Sequence, residues 1–467
     1  MWHLVTIAQC ERPRGIRAAQ VLALCFNKKF FHSPFTTLDL FYNSLIMNLT
    51  MDYGRHGLNL TLSDNTDVFL ERDAAPLADE TAAIRDALHN PIGCVPLRER
   101  LREGMTVVIV HTDITRATPN DRLLPVILAE LELGGIRRED ITLLNGLGTH
   151  RPQTDAELRR MLGPEVVDRY RCLQHDAYDE AGLVSLGTTR RGHPLKVNKH
   201  LLEADLNILT GFIEPHFFAG YSGGPKAVLP GVAGAETVLA NHGPEMIAHP
   251  QATFDRTAGN PLWEEMLEAA SRVENTFLVN VTLDRENTIT GVFAGEVAAA
   301  HARGCDHVRE ASLYTISEPY DLVITTNSGY PLDQNLYQCV KGLAAAVRAV
   351  RPGGAILLLA ACEEGLPDAS EYARLLFEAG SPQAVLDRVT QPGFTGQDGW
   401  QVQIQAQVQL KADVYVFSEG LSDDQIKTSL LHPCRDLAHG VPELMARYGS
   451  RVCALPQGPL TVLEVGG

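Results

Sequence analysis

The chain has 467 residues, of which 45% are hydrophobic and 21% are charged, a composition that excludes wholesale disorder. Its length predicts two or three domains. The net charge of −17 argues against non-specific nucleic-acid binding, which requires clustered Lys and Arg. No apolar run reaches about 18 residues, so no transmembrane helix is expected. The nine cysteines form no CxxC pair, which fits a reducing cytoplasm better than a disulfide framework.

Residues 1–50 differ from the rest of the chain, because they are rich in Phe and Leu, basic, and without a clear period. We expect either a disordered extension or a start codon assigned too early, with Met47 or Met51 as the first residue. From Met51 onward the pattern changes. The run HGLNLTLSDNTDVFLE alternates as two strands separated by a Ser-Asp-Asn turn.

Short apolar strands then alternate with helical patterns in two successive units, 51–315 and 316–467. The first unit has predicted strands at 105–111, 141–146, 204–211, 277–284 and 288–295. Its helices are predicted at 121–135, after a capping box of Thr154 and Glu157, and at 296–311. The second unit has predicted strands at 321–326, 354–361 and 412–418 and helices at 332–350 and 370–380. This alternation predicts an α/β fold of two domains with mostly parallel sheets.

Polar residues follow the predicted strands of the first unit. The loops contain, in chain order, Asp113 and Arg116, then His150, then Glu214, His216, Ser222 and Lys226. In open α/β sheets ligands bind outside the carboxyl ends of the strands, so these loops predict a site. An arginine in such a loop can hold a carboxylate with two hydrogen bonds.

Only some of the histidines are candidates for a site, because a loop histidine is more often solvated or hydrogen-bonded than catalytic. We interpret His111, His175 and His193 as such ordinary side chains. Three others, His150, His216 and His242, remain candidates because they lie in or beside loops with Gly and Pro.

Common nucleotide and hydrolase motifs do not fit. The run GYSGGPKAVLPGVAG departs from the P-loop pattern, because Pro225 replaces its second glycine and Ala227 its hydroxyl residue. The loop of Ser222, Gly223 and Gly224 could still bring backbone N–H groups close to an anionic cofactor. The motifs HExxH and GxSxG are absent, which removes support for conventional zinc and serine hydrolysis.

Two features of the second unit stay open. Gln338 and Lys341 lie three residues apart on a predicted helix and share a face, where a lysine is either solvated or part of a site. Trp400, in the stretch TGQDGWQVQIQ, is predicted to lie in a Gly-rich loop, and it is either a core residue or the wall of an active site.

Four motifs carry a resemblance to a known family: DITRATP, GTHRPQT, GFIEPHFFAGYSGGPKAVLPGVAG and YQCVKG, in this order. From about Leu58 to near its C-terminus the chain resembles the nickel-dependent lactate racemases. The resemblance implies two α/β domains with the active site in the cleft between them. It also implies a nickel-pincer nucleotide, a pyridinium-3-thioamide-5-thiocarboxylic acid mononucleotide that carries nickel. Enzymes that make this cofactor would be maturation partners.

The same resemblance assigns roles to individual residues. It implies that Lys226 bears the cofactor covalently and that His242 ligates nickel. His150 and His216 would be the acid/base pair. The remaining matched positions are the substrate-binding residues Arg116, Gln338, Lys341 and Trp400, and Asp113 beside the cofactor.

The implied reaction is physically consistent. The carbon-bound hydrogen of a 2-hydroxy acid is only weakly acidic, so its removal as hydride, while a base takes the hydroxyl proton, avoids a carbanion. Return of the hydride to the opposite face of the keto acid inverts the centre, so each antipode needs its own base. Histidine suits this role, because its unperturbed pKa is about 6.5.

The sequence therefore predicts a cytoplasmic isomerase that racemises a small 2-hydroxy acid, with lactate favoured. Three alternatives stay open. The substrate could be malate, a longer 2-hydroxy acid or a sugar acid. The protein could bind the cofactor without catalysis, or it could be a mononuclear zinc or nickel hydrolase built from the same histidines. Neither a nucleic acid nor a membrane is expected as a partner.

Overall fold

The structure is a computed structural model, which describes residues 46–72, 74–367, 371–391, 394, 396 and 398–466. Residues 1–45, which make up most of the predicted extension, lie outside this description. No helix in the described ranges is long and apolar enough to cross a membrane.

The strands occur along the whole described chain. They are β1 Ile46–Met51, β2 Leu58–Ser63, β3 Asp67–Val68, β4 Val107–Thr112, β5 Ile141–Gly146, β6 Arg171–Gln174, β7 Leu183–Thr188, β8 Pro194–Asn198, β9 Leu206–Phe212, β10 Pro215–His216, β11 Gly220–Tyr221, β12 Thr276–Leu283, β13 Ile289–Gly295, β14 Leu313–Ile316, β15 Tyr320–Thr326, β16 Val350–Leu359, β17 Asp413–Phe417, β18 His432–Pro433, β19 Val452–Leu455 and β20 Val462–Val465.

Helices alternate with these strands. They are α1 Glu80–His89, α2 Asn120–Leu133, α3 Asp155–Leu162, α4 Pro164–Arg169, α5 His200–Glu203, α6 Ala235–Asn241, α7 Pro244–Ile247, α8 Pro261–Ser271, α9 Val297–Ser312, α10 Leu336–Ala349, α11 Glu371–Ala379, α12 Pro382–Val389, α13 Gly399–Lys411, α14 Asp423–Thr428 and α15 Leu437–Tyr448.

Two six-stranded sheets form the two halves of the molecule. The first has the order β13-β12-β9-β4-β5-β6, in which only the β12–β13 pair is antiparallel. The second has the order β18-β17-β16-β15-β19-β3, and its strands are all parallel. The strands β9 and β12 are buried almost throughout, as expected for a sheet covered on both faces. The prediction of an α/β fold with mostly parallel sheets is confirmed.

Local signals set several boundaries as the sequence predicted. Thr154 caps α3, and Glu157 completes the capping box. The helix α10 begins later than predicted, because the Asn335 side chain accepts the Gln338 N–H and caps the helix there. Trp400 does not lie in a loop but in the first turn of α13, so that part of the prediction is wrong.

The first described strands belong to the second half. The β1–β2 hairpin packs Met51, Leu60 and Leu62 into the apolar cluster around Leu322 and Leu357 of the second sheet. The strand β3 then pairs in parallel with β19. Residues 46–50 are thus part of a paired strand, and residues 51–68, predicted in the first unit, pair and pack with the second sheet.

One continuous apolar core joins the halves. It contains residues from strands of the first sheet, such as Val110 and Leu278, and of the second, such as Val323 and Ile356. The loops at the carboxyl ends of the strands therefore belong to two halves that share buried surface.

Candidate active site

The loops after β4 and β5 bring His150 to Asp113. The His150 Nδ1 lies 2.5 Å from an Asp113 carboxylate oxygen, and the other oxygen accepts the Thr115 N–H and hydroxyl. Burial raises the pKa of Asp113, but the hydrogen bond and charge of His150, then Arg116 and Thr115, outweigh it and lower the pKa to about 2. Asp113 is 3% exposed and His150 48%, so an ionised buried carboxylate orients an accessible imidazole.

His216 lies on the short hairpin of β10 and β11, where it pairs with Gly220. The Ala219 N–H is 3.3 Å from its Nδ1, and its ring stacks on Phe217 with centroids 5.0 Å apart. Burial, followed by the charges of Lys226 and Arg116, holds the pKa of His216 well below its usual value. This imidazole is therefore neutral near neutral pH.

Residues of other segments contact the loop that precedes Lys226 and fix its backbone. Gly223 and Gly224 have φ of 73° and 56°, and a Cβ on Gly224 would stand 2.5 Å from the ring of His301. The Gly224 N–H donates to Asn280 Oδ1 at 2.7 Å. The Ser222 hydroxyl donates to the Phe212 carbonyl. Ser222 and Gly224, predicted to bind the cofactor, thus already use these polar groups within the protein, and the glycines serve close packing and left-handed backbone.

Three cations and one carboxylate from both halves meet around this loop. Burial, then the charges of Arg116 and Lys341, lowers the pKa of Lys226 to about 7. Burial, then Arg116, lowers the pKa of Lys341 to about 8. Burial raises the pKa of Glu214, although Lys341, Arg116 and Lys226 oppose that effect. Arg116, Glu214, Lys226 and Lys341 are half-buried, and the place where these four side chains meet is called the recess below. Its cations suit an anion.

His242 ends α6 and faces this recess. Its Nδ1 lies 3.1 Å from the Val238 carbonyl, and its Nε2 makes no hydrogen bond to a described residue. Burial, then Lys226, lowers the pKa of His242 to about 3, so the ring is neutral. Phe218 packs edge-on against it at 5.2 Å, and Trp400 does so at 5.5 Å from α13 in the other half. Lys226 lies 5.5 Å over the Phe218 ring.

The substrate-binding candidates of the second half lie on α10 and α13. Gln338 and Lys341 are one helical turn apart on α10, and the Gln338 side chain has no hydrogen bond among the described residues. The neighbouring Tyr337 hydroxyl interacts with Asp398 and Trp400, and burial raises its pKa. Burial raises the pKa of Asp398, while the hydrogen bond of Tyr337 and, more weakly, the neighbouring His150 oppose that effect. Both halves therefore face the same recess.

The three histidines interpreted as ordinary side chains are hydrogen-bonded. His111 contacts the Thr112 carbonyl, His175 the Ala233 carbonyl, and His193 the buried Glu265.

Two family models match this chain. The lactate racemase N-terminal domain matches residues 53–255, and the lactate racemase C-terminal domain matches residues 316–461. A lactate racemase of Thermoanaerobacterium thermosaccharolyticum is 33% identical over 425 residues, which are 89% of this chain and 99% of the relative. A lactate racemase of Lactiplantibacillus plantarum is 36% identical over 383 residues, or 81% of this chain and 90% of the relative.

The chain belongs to the lactate racemase family. It is accordingly an isomerase, as the sequence predicted. The solved lactate racemase apoprotein of T. thermosaccharolyticum superposes with a TM-score of 0.84 at 32% identity, over 89% of this chain and all of that chain. A Thermotoga maritima protein superposes with a TM-score of 0.63 at 19% identity over 85% of this chain and 100% of that chain, which shows the fold alone.

The sequence places Glu214 in a polar loop of the predicted site but assigns it no role, and Asp398 is not among its candidates. The place of Glu214 within the apolar run FIEPHFF is a usable signal, because a carboxylate there needs a cationic partner. Asp398 had no such signal, since its relation to Tyr337 and His150 depends on the packing of the two halves.

Proposed function

We propose that the protein racemises a small 2-hydroxy acid, with lactate as the favoured substrate, in the cytoplasm. The observation that carries the proposal is a pair of histidines in opposite electrostatic settings, with the charge of Arg116 acting both on His216 and on the Asp113 that contacts His150. His150 contacts an ionised carboxylate, whereas His216 lies among cations and is neutral. The free thiols of the described cysteines fit the proposed location.

The substrate carboxylate would bind to Arg116 and Lys341. The Arg116 guanidinium makes no hydrogen bond or ion pair to another side chain in the described ranges, so its donors are available. Burial is the main cause that lowers the pKa of Lys226, Lys341 and His216, and the charge of Arg116 adds to it at each of them, as expected of a neighbouring cation. A planar guanidinium can hold the carboxylate with two parallel hydrogen bonds while the rest of a small substrate turns.

The two histidines would share one proton. The Asp113 carboxylate orients the His150 ring, which would carry the shared proton at the start of the proposed cycle. Neutral His216 then accepts the hydroxyl proton of one antipode, and His150 delivers a proton to the keto oxygen from the other side. For the opposite antipode the two rings exchange roles. General acid–base catalysis of this kind contributes about 10²–10⁴-fold to rate.

The cofactor proposal rests on the donor set. Among the described residues no group of three or more His, Cys, Asp or Glu can hold a metal ion, so nickel at His242 would need further ligands from a bound group. The residues fit a nickel-pincer nucleotide: His242 offers a neutral imidazole, and Lys226 offers an amine neutral above about pH 7. When bound, this group would supply the hydride acceptor and donor for the substrate carbon.

Other residues would keep water out. Trp400 and Tyr337 come from the second half and cover the side of the recess beside His242. A keto acid held there would be protected from solvent, and these half-buried rings would strengthen the interactions of the charged groups.

The test is to co-express the protein with enzymes that make the cofactor. Mass spectrometry should find a covalent adduct, and chiral analysis should show that either lactate antipode becomes a mixture. Lys226→Ala should lose both the adduct and activity, whereas His150→Ala and His216→Ala should keep the adduct and lose about 10²–10⁴-fold in rate in both directions.

Two results would contradict the proposal. Normal racemisation by either histidine variant would exclude the acid/base pair. An adduct without racemisation of lactate, malate, glycerate or longer 2-hydroxy acids would favour a cofactor-binding protein without catalysis.

A further inference from the structure

A buried carboxylate contacts the return strand of the hairpin that carries His216. In this hairpin Tyr221 pairs with Pro215, and its hydroxyl donates to Asp255 Oδ1 at 2.5 Å. The Asp255 N–H also donates to the Gly220 carbonyl at 3.3 Å. Asp255 therefore contacts the return strand of the hairpin through both its side chain and its backbone.

The same carboxylate is shared with two arginines. The Arg309 Nε of α9 donates to Asp255 Oδ1 at 2.6 Å, and Arg256 lies 3.3 Å from Oδ2. Asp255 is 7% exposed and has a φ of 60°, a conformation that Asp tolerates better than most residues. Charged donors and a buried acceptor make these hydrogen bonds stronger and more directional than neutral ones.

The connection continues into the second half. Arg256 donates to Glu464 of β20, and Arg348 of α10 lies 3.9 Å from the same Glu464 oxygen. Arg348 also donates to Thr253 at 2.8 Å, two residues before Asp255. The helix α10 bears Lys341, so one chain of ion pairs runs from the His216 hairpin to the helix that holds the second substrate cation.

We infer that Asp255 is a positioning residue that fixes the His216 imidazole relative to Lys341, an inference that rests on the proposed racemase function. Asp255 touches neither His216 nor the recess cations in this arrangement. It acts on the position of the hairpin, and proton transfer between substrate and ring depends steeply on that position.

The kinetic test uses the cofactor-loaded enzyme. Asp255→Ala should lower kcat on the order of 10- to 100-fold with little change in KM, because a misplaced base affects the transition state more than substrate binding. Asp255→Asn keeps an oxygen for the Tyr221 hydroxyl and should restore part of the loss. The matched control is Asp306→Asn, since Asp306 binds the same Arg309 at 2.8 Å from an exposed site and should leave kcat unchanged.

Tyr221→Phe is a milder variant, because it removes only the hydroxyl that Asp255 accepts. It should lower kcat, and adding Asp255→Asn to it should cost less than the two single losses combined. Rates are normalised to the amount of covalent adduct. Unchanged kcat per adduct in Asp255→Ala and Tyr221→Phe would overturn the inference. An effect of these variants on KM alone would also overturn it.

A second readout separates this inference from the proposed function. In apoprotein with labelled histidines, the imidazole NMR signal of His216, assigned by its loss in His216→Gln, should move in Asp255→Ala and Tyr221→Phe. The His150 signal should stay in place, and Asp306→Asn should move neither. A parent that does not racemise any 2-hydroxy acid defeats the proposed function, whereas an unmoved His216 signal defeats the positioning role.

Discussion

The contact between Asp113 and His150 makes a prediction about acid stability. A carboxyl group whose pKa falls on folding stabilises the protein while it is ionised. The contribution is complete above the unfolded value of 3.8 and is lost as the pH falls toward about 2. The shift corresponds to about 2 kcal/mol of unfolding free energy.

The unfolding free energies of the apoprotein and of Asp113→Asn, measured in urea, should therefore converge in this pH window. The parent should be more stable at about pH 5 and should lose that advantage by about pH 2. A difference between the two proteins that does not change with pH would contradict the ionised, His150-bound carboxylate.

For Lys226 we predict a destabilising contribution, because folding lowers the pKa of this amine from 10.5 to about 7. Between these values the unfolded chain binds more protons, so the cost of burying the ammonium is complete below about pH 7 and disappears above about pH 10.5. Lys226→Met should raise the Tm of the apoprotein most below pH 7. The exposed Lys427 provides the control, and Lys427→Met should change Tm little at any pH.

At the residue scale, the sequence identified candidate site residues better than it identified their hydrogen-bond partners. The motifs singled out His150, His216 and Lys226, and the charge of Arg116 acts on Lys226, on His216 and on the Asp113 that contacts His150. The hydrogen bond from His150 to Asp113 joins two loops 37 residues apart, so it depends on adjacent strands of a folded sheet. The proposed anion-binding N–H of Gly224 is used by Asn280, which no local pattern could indicate.

At the scale of elements, the loop before Lys226 makes a prediction about packing. Gly224→Ala places a Cβ 2.5 Å from the His301 ring, in addition to the cost of a left-handed φ. Gly192 has a φ of 82° with nothing within 4 Å of its Cβ position, so Gly192→Ala bears the backbone cost alone.

Urea unfolding should separate the two costs. We expect Gly192→Ala to lose about 1 kcal/mol and Gly224→Ala about 2–5 kcal/mol, because overpacking adds to backbone strain. Equal losses would mean that His301 moves aside freely and does not hold the loop.

The helix α13 shows why one element escaped sequence reasoning. Its run QVQIQAQVQ alternates polar and apolar residues with the period of a strand, although it forms a helix buried on most sides. The side-chain NH2 groups of several of its glutamines donate to backbone carbonyls of other segments. Gln401 donates to Tyr337, Gln403 to Pro244 and Gln405 to Ser429. Such partners are fixed by tertiary packing, so neither periodicity nor propensity reveals them.

At the scale of the whole molecule, the second sheet depends on residues from the start of the described chain. A fragment of 316–467 would lack β3 and the hairpin that covers the apolar face, so we expect it to aggregate. A peptide of residues 46–72 should bind it and restore a monomer by size-exclusion chromatography. The same peptide with Leu60→Lys and Leu62→Lys should fail, because both side chains are buried in that face. A soluble, folded fragment without the peptide would contradict this dependence.

The sequence predicted two α/β units because strand and helix periods alternate clearly in each. It did not predict that the described part of the chain begins in the second half, crosses to the first and returns. Local patterns report which face of a strand is apolar, but they do not report which sheet that face will cover.

The pairing of β3 with β19 also sets an order of events during synthesis. The strands β4 to β13 of the first sheet leave the ribosome one after another, so that sheet can form while the chain is still growing. The strand β3 emerges before them, but it cannot pair until β19 is made, and β19 is nearly the last strand in the chain. Such long-range pairing is slow and leaves edges and apolar surface uncovered in the meantime. The nascent chain is thus most vulnerable to aggregation just before its last strands appear.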